Sequence, residues 1–132
     1  MTKYIFILIA LFIGGFLSIQ GSINAHLSSY LKHPLQASLT NFLVGTVILI
    51  ILNMILKPGL PSGAELRGIP WYLYLGGAIG AMFVTSVVLL IPRIGVATML
   101  AASIAGQLII ASVIDHFGYF NVSEHPFTLS RA

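Results

Sequence analysis

The chain has no cysteine and very few charged residues. Only three of its 132 residues are acidic, and charged residues make up 7% of the sequence, against roughly 25% in an ordinary soluble domain. The absence of cysteine excludes disulfides and thiolate-bound metals. Because 58% of the residues are hydrophobic, a soluble fold is excluded as well, since a domain of this length has too little interior to bury them. The predicted solvent is therefore the lipid bilayer.

The sequence also lacks the patterns of catalysis and of cofactor binding. It contains no nucleophile–base arrangement and no phosphate-binding loop, and its four histidines lie in three separate segments without metal-ligand spacing. The net charge of +3 comes from residues scattered through loops and ends rather than from a basic patch. We therefore expect no catalytic residue, metal, cofactor or nucleic-acid partner.

Four apolar runs are each long enough to cross a bilayer as a helix, which takes about 20 residues. Proline, glycine and polar clusters separate them. The predicted spans, numbered first to fourth, cover residues 4–31, 35–56, 70–91 and 96–114. They make up a transmembrane domain of residues 1–118, which a polar tail of residues 119–132 follows. The predicted fold class is an all-α integral membrane four-helix bundle.

Basic residues in the loops indicate the orientation. An even number of spans places both termini on the same side of the membrane. The basic residues on that side are Lys3, Lys57, Arg67 and Arg131, and those on the other side are Lys32 and Arg93. The excess predicts that the termini lie in the cytoplasm, although a bias of this size also fits a protein that inserts in both directions.

Small residues recur at helical spacing within the spans. In lipid, such residues let two helices approach closely and associate by van der Waals contact. The first span repeats small residues every four positions from Ala10 to Ser22, and the third contains a Gly-x-x-x-Gly pair. The positions predicted to pack against other helices are Gly14, Ser18, Gly76, Gly80, Ala102 and Ala105.

The fourth span carries two distinct faces. At about 100° per residue, Ala102 and Ala105 fall on one arc of the helix. Ser103 and Gln107 fall nearly opposite. A helix with a single neighbour needs only one such face, so we infer that this span lies between two neighbours. They are either two helices of its own bundle, or its bundle and a second subunit.

Polar residues inside the spans are the candidates for a substrate pocket. Their amides and hydroxyls need hydrogen-bonding partners in lipid, and Gln20 and Asn24 share one face of the first span. The predicted pocket residues are Gln20, Asn24, Asn41, Thr85, Ser103 and Gln107. The alternative, that these residues only fix helix packing, stays open.

No acidic or basic residue lies at the centre of a span. Ion-coupled carriers usually place a carboxylate within the membrane, and the nearest candidate is Asp115 at the end of the fourth span. The helix dipole disfavours a carboxylate at a C-terminus, so Asp115 is predicted to have a partner. An interface role and a coupling or gating role are both open for this residue.

Several short motifs stand out together along the chain. They are residues 20–27 (QGSINAHL), 42–46 (FLVGT), 70–72 (PWY), 75–77 (LGG), 91–95 (IPRIG), 105–107 (AGQ) and 115–118 (DHFG). This set resembles the YdcZ family of small bacterial inner-membrane proteins, in the drug/metabolite transporter superfamily, over about residues 10–131. The resemblance implies half of a drug/metabolite-transporter-like fold and an exporter of an unassigned small molecule. It also implies a homodimer or pairing with a homologous subunit.

Two departures from related proteins limit what the resemblance implies. YdcZ proteins usually continue past a segment like residues 126–131 into a fifth apolar helix, whereas this sequence stops there, as a shortened gene product or as a four-helix form. Small multidrug resistance transporters of the same superfamily carry an essential glutamate in the first helix. The first span here has none, so their proton-exchange mechanism is not expected.

Transport is the leading functional hypothesis. The protein would export a small molecule across the inner membrane as an oligomer. A passive ion channel is one alternative, because small fluoride channels are also short four-helix dimers. A membrane scaffold or subunit without transport of its own is another, and an enzyme is not expected.

Cysteine cross-linking tests the two faces of the fourth span, because no native cysteine interferes. We expect at least one of the variants Ala102→Cys and Gln107→Cys to cross-link between subunits in membranes, seen as a dimer band after non-reducing electrophoresis. If neither variant cross-links, the fourth span does not lie at a subunit interface.

Overall fold

The computed structural model describes residues 2–57 and 59–117. That part of the chain is helical and contains no strand. Its elements are α1 (Thr2–Tyr30), α2 (Pro34–Leu56), α3 (Gly63–Arg67), a 3₁₀ helix (Trp71–Tyr74), α4 (Leu75–Ile94) and α5 (Val96–Phe117). The predicted domain boundary at residue 118, the predicted tail of residues 119–132 and the predicted cytoplasmic Arg131 lie outside the described residues.

Four of these helices are long and apolar enough to cross a membrane. The candidate spans are Lys3–Tyr30, Pro34–Leu56, Trp71–Ile94 and Val96–Phe117, of 28, 23, 24 and 22 residues. Most of their large apolar side chains are exposed on the isolated chain. In a bilayer, lipid covers such side chains while each helix satisfies its own backbone hydrogen bonds. The predicted all-α membrane fold is confirmed.

The chain divides into two compact units, Met1–Val96 and Ala97–Ala132. In the first unit, α1, α2 and α4 contact one another. Their shared core lies in the second half of α1, the first half of α2 and the second half of α4. The buried residues of this core are Gly21, Asn24, Ala37, Ser38, Val87, Val88 and Ile91. The three helices therefore pack most closely near one face of the membrane.

Gly21 lets α1 and α4 approach closely. A Cβ atom at this position would lie 3.0 Å from Cδ1 of Ile91 and 3.1 Å from Cγ1 of Val87, which is tighter than nine in ten Cβ contacts in proteins. Helices in lipid gain no hydrophobic driving force from associating, so such tight packing supplies much of the attraction. The contact between α1 and α4 thus lies in the second half of α1, next to the small-residue pattern of the first span.

The predicted packing residues show less contact within the chain. Nothing lies within 4 Å of a Cβ position at Gly14 or Gly76, and at Gly80 the nearest atom is Cζ of Phe42 at 3.8 Å. Ser18 is half-buried, while Ala102 and Ala105 on α5 are exposed. Their packing against another helix or subunit stays a prediction.

The end of α4 differs from the sequence expectation. The third span was expected to stop at residue 91, before Pro92, but the helix continues to Ile94. Proline removes one backbone N–H and crowds the carbonyl four residues earlier. Pro92 lies in the last turn of α4, where the helix tolerates both effects. Gly95 ends the helix with φ 83° and ψ 160°, a conformation that is essentially restricted to glycine. The fourth span also ends three residues later than predicted, and every other end falls within one residue of the predicted bounds.

A short capped helix organises the loop between α2 and α4. Oγ of Ser62 accepts a hydrogen bond from the Glu65 N–H at 3.3 Å, and the Glu65 carboxylate accepts one from the Ser62 N–H at 2.7 Å. Two hydrogen bonds to the Glu65 carboxylate hold its pKa below the ordinary value. The larger effect comes from the Ser62 backbone N–H and the smaller one from the Ser62 hydroxyl. The Tyr74 hydroxyl donates to the Leu66 carbonyl at 2.7 Å. Tyr74 therefore anchors this loop.

We expect Gly21→Leu to destabilise the protein, because its side chain must displace Ile91 and Val87. Overpacking of this kind typically costs about 1–3 kcal/mol. Gly15→Leu is the matched control on the same helix, since nothing lies within 4 Å of its Cβ position. Thermal unfolding in detergent micelles measures the difference, and equal melting temperatures for the two variants would contradict the close contact between α1 and α4.

Candidate functional site

A groove lies between α1, α2 and α4, next to their packed core. It has a volume of about 250 Å³ and is partly open. Its lining residues are Gln20 from α1, Asn41, Phe42, Gly45, Thr46 and Leu49 from α2, and Val84 from α4. All of them belong to helices that can span a membrane, so the groove lies within the depth of the bilayer.

One face of α2 forms most of the groove wall. Asn41, Gly45 and Leu49 are spaced four residues apart and therefore share a face of the helix. Nothing lies within 4 Å of a Cβ position at Gly45, so the missing side chain opens a space between the other two. Glycine at this position therefore leaves the groove wider than a larger residue would.

The side chain of Asn41 contains an unpaired polar atom. Among residues 2–57 and 59–117, Nδ2 of Asn41 is the only buried side-chain nitrogen or oxygen without a hydrogen-bond partner. Leaving a buried donor unpaired costs roughly 1–3 kcal/mol, and folded proteins rarely keep one without a reason. On the same helix, Nδ2 of Asn53 donates to the carbonyl of Leu49 at 2.8 Å. Because Asn41 lines the groove, a rotation of its side-chain amide would let a molecule bound there pair with this nitrogen.

The structure brings two of the six predicted pocket residues into the groove, Gln20 and Asn41. Asn24 lies one turn beyond Gln20 and is only 3% exposed, within the packed core. Thr85 reaches across to α2, where its hydroxyl lies 3.0 Å from Oγ of Ser38. Neither Asn24 nor Thr85 lines the groove, and both lie near its packed end.

The other two predicted pocket residues lie on α5. Oγ of Ser103 donates to Sδ of Met99 within the helix at 3.6 Å, and Gln107 is exposed. α5 belongs almost entirely to the second unit. That Ser103 and Gln107 line a pocket therefore stays a prediction. Asp115 is half-buried in the last two turns of α5, and its partner also stays a prediction.

Sequence reasoning did not assign Ser38 and Gly45 to the site. Ser38 is buried, and its hydroxyl links the Pro34 carbonyl at 3.3 Å with the Thr85 hydroxyl at 3.0 Å. Nothing in the sequence distinguishes Ser38, because its role depends on which residue of α4 lies opposite. Gly45 could have been assigned to the site from the sequence, because it follows Asn41 at the spacing of one helical turn.

Comparison with known proteins identifies the family. The family described as "Putative inner membrane exporter, YdcZ" matches residues 5–132. The chain belongs to the YdcZ family. The resemblance found in the sequence is thereby confirmed, and with its four candidate spans the chain is a multi-pass inner-membrane protein. YdcZ membership points to transport rather than to catalysis. No curated protein and no solved structure matches the chain significantly.

Removing the unpaired amide should stabilise this YdcZ-family protein. Asn41→Leu replaces a buried donor with an apolar side chain of similar size, and we expect the free energy of unfolding to rise by about 1 kcal/mol. Asn53→Leu is the matched control, because that amide already bonds to its own helix and its removal brings no such gain. Thermal unfolding in micelles compares them, and a melting temperature of Asn41→Leu below that of the wild type would contradict the unpaired state.

Proposed function

We propose that this protein is a secondary transporter that exports a small molecule across the inner membrane, and that the groove is part of its substrate path. The groove carries the proposal: it is partly open, has a volume of about 250 Å³ and lies within helices that can span the membrane. Small-molecule sites typically combine apolar walls with a few polar groups that orient the ligand. Phe42, Leu49 and Val84 provide such walls, and Asn41 provides an unused donor.

Transport by alternating access requires that the groove open to one side of the membrane at a time. The packed core closes the end of the groove that lies near Gly21, and the bond between Ser38 and Thr85 fastens α2 to α4 at that end. With the termini in the cytoplasm, as we propose, this end would face outward and the groove would open inward. Release to the outside then requires α4 to move away from Gly21.

We further propose that the transporter works as a homodimer or with a homologous subunit. Gly14 and Gly76 leave open space on α1 and α4, with nothing within 4 Å of their Cβ positions. Small residues exposed on membrane helices favour close contact with another helix. The two opposed faces of α5 support the same proposal.

Gly45→Leu tests the export function before the substrate is known. The larger side chain enters the groove without meeting a neighbour within 4 Å of its Cβ, so the fold should persist while the groove is filled. We expect at least one compound to accumulate in the medium of cells that express the wild type and not in that of cells that express Gly45→Leu. Mass spectrometry of the culture medium measures this, with equal amounts of protein in the membrane.

Gly15→Leu is the control for this experiment and should export like the wild type, because it adds the same side chain to open space away from the groove. Identical media for the wild type and Gly45→Leu would contradict the proposal. Flux of the identified compound into proteoliposomes then separates the mechanisms. Flux that saturates with concentration indicates a carrier, and a non-saturating, voltage-driven current indicates a channel.

A further inference from the structure

We infer that the groove selects small, uncharged molecules that carry an amide or a hydroxyl group on an apolar body. The inference rests on the proposed function, because it names the class of molecule that the groove would export. Three properties of the lining lead to it: its volume, its unused hydrogen-bonding capacity and its lack of charge.

The volume limits the size of the ligand. An apolar protein cavity of about 150 Å³ holds one benzene molecule. The groove, at about 250 Å³, therefore encloses roughly ten non-hydrogen atoms by the same measure. A larger molecule would have to extend through the open side. The side chains of Phe42, Leu49 and Val84 favour an apolar body in this space.

The hydrogen-bonding groups of the groove require both an acceptor and a donor on the ligand. Nδ2 of Asn41 is a donor without a partner that protein atoms cover, so it pairs with an acceptor on the ligand once the amide turns toward the groove that this residue lines. Thr46 has one hydroxyl hydrogen, which it donates to the Phe42 carbonyl at 2.7 Å, so its oxygen can only accept. Gln20 offers both kinds of group and can adapt to either. An amide or a hydroxyl group supplies the acceptor and the donor from a single small functional group.

The lining contains no charge. Its seven residues are all neutral, and the charged residues that the structure describes lie at helix ends or in loops: Lys3, Lys32, Lys57, Glu65, Arg67, Arg93 and Asp115. An ion bound at this depth would lose its hydration without gaining a counter-charge, which is costly in a low-dielectric setting. The groove therefore favours an uncharged ligand over a charged one of the same size.

Three probes of nearly equal size test this inference: benzamide, benzoate and benzylammonium. Their binding to the purified protein in lipid nanodiscs is measured by saturation-transfer NMR, and the signal from Gly45→Leu nanodiscs is subtracted as the contribution of lipid and of non-specific contact. We expect benzamide to show a signal that depends on the open groove, and we expect neither ion to do so. In Asn41→Leu, the affinity for benzamide should fall about fivefold or more, as expected for the loss of one hydrogen bond. Asn53→Leu should bind benzamide like the wild type.

The outcomes separate this inference from the proposed function. If benzoate or benzylammonium binds in a Gly45-dependent manner at least as tightly as benzamide, the ligand class is wrong while the groove remains a binding site for an exporter. If all three probes give equal signals in the wild type and Gly45→Leu, the groove holds only lipid, and both the inference and the proposed substrate path are overturned. Equal losses in Asn41→Leu and Asn53→Leu would also overturn the role of the Asn41 amide.

Discussion

The close approach of α1 and α4 at Gly21 is the contact on which the first unit of the protein depends. Lipid solvates apolar side chains as well as another helix does, so hydrophobic burial cannot hold these helices together. Close van der Waals packing has to hold them together instead. Gly21 allows this packing because it lacks the Cβ atom that would keep Val87 and Ile91 away from α1. The groove begins at the adjacent residue, Gln20. The position of the tight contact therefore decides where the helices separate enough to leave a cavity.

The polar residues of the spans divide according to where their hydrogen bonds go. The hydroxyls of Ser22, Thr40, Thr46, Ser86 and Ser112 donate to carbonyls one turn earlier in their own helices. Such groups need no neighbour and say little about how helices pack. The hydroxyls of Ser38 and Thr85 also reach carbonyls one turn earlier in their own helices, but they lie 3.0 Å from each other as well and so join two helices. Asn41 differs again, since its buried nitrogen bonds to neither its own helix nor another in the described residues.

The sequence was sufficient to predict the four membrane spans but not the contacts between them. The length and composition of an apolar run are local properties, and they located all four spans. Proline predicts that the third span stops at residue 91, whereas α4 ends three residues later, before the positive φ of Gly95. Gln20 and Asn41 were both proposed as pocket residues, but the sequence could not show that they share a groove which Asn24 and Thr85 do not line. That depends on the register of α2 against α4, which sets Ser38 beside Thr85.

The open space at Gly45 has a consequence for how proteins with this groove can diverge. Most positions in a packed helix resist larger side chains, so a change in binding usually disturbs the fold. At Gly45 nothing stands within 4 Å of a new Cβ, and replacing glycine inside a helix also removes its conformational penalty. Substitutions from alanine upward would narrow the cavity in steps while the helix remains intact. In the proposed substrate path, the side chain at this one position would therefore limit the size of the molecule that fits.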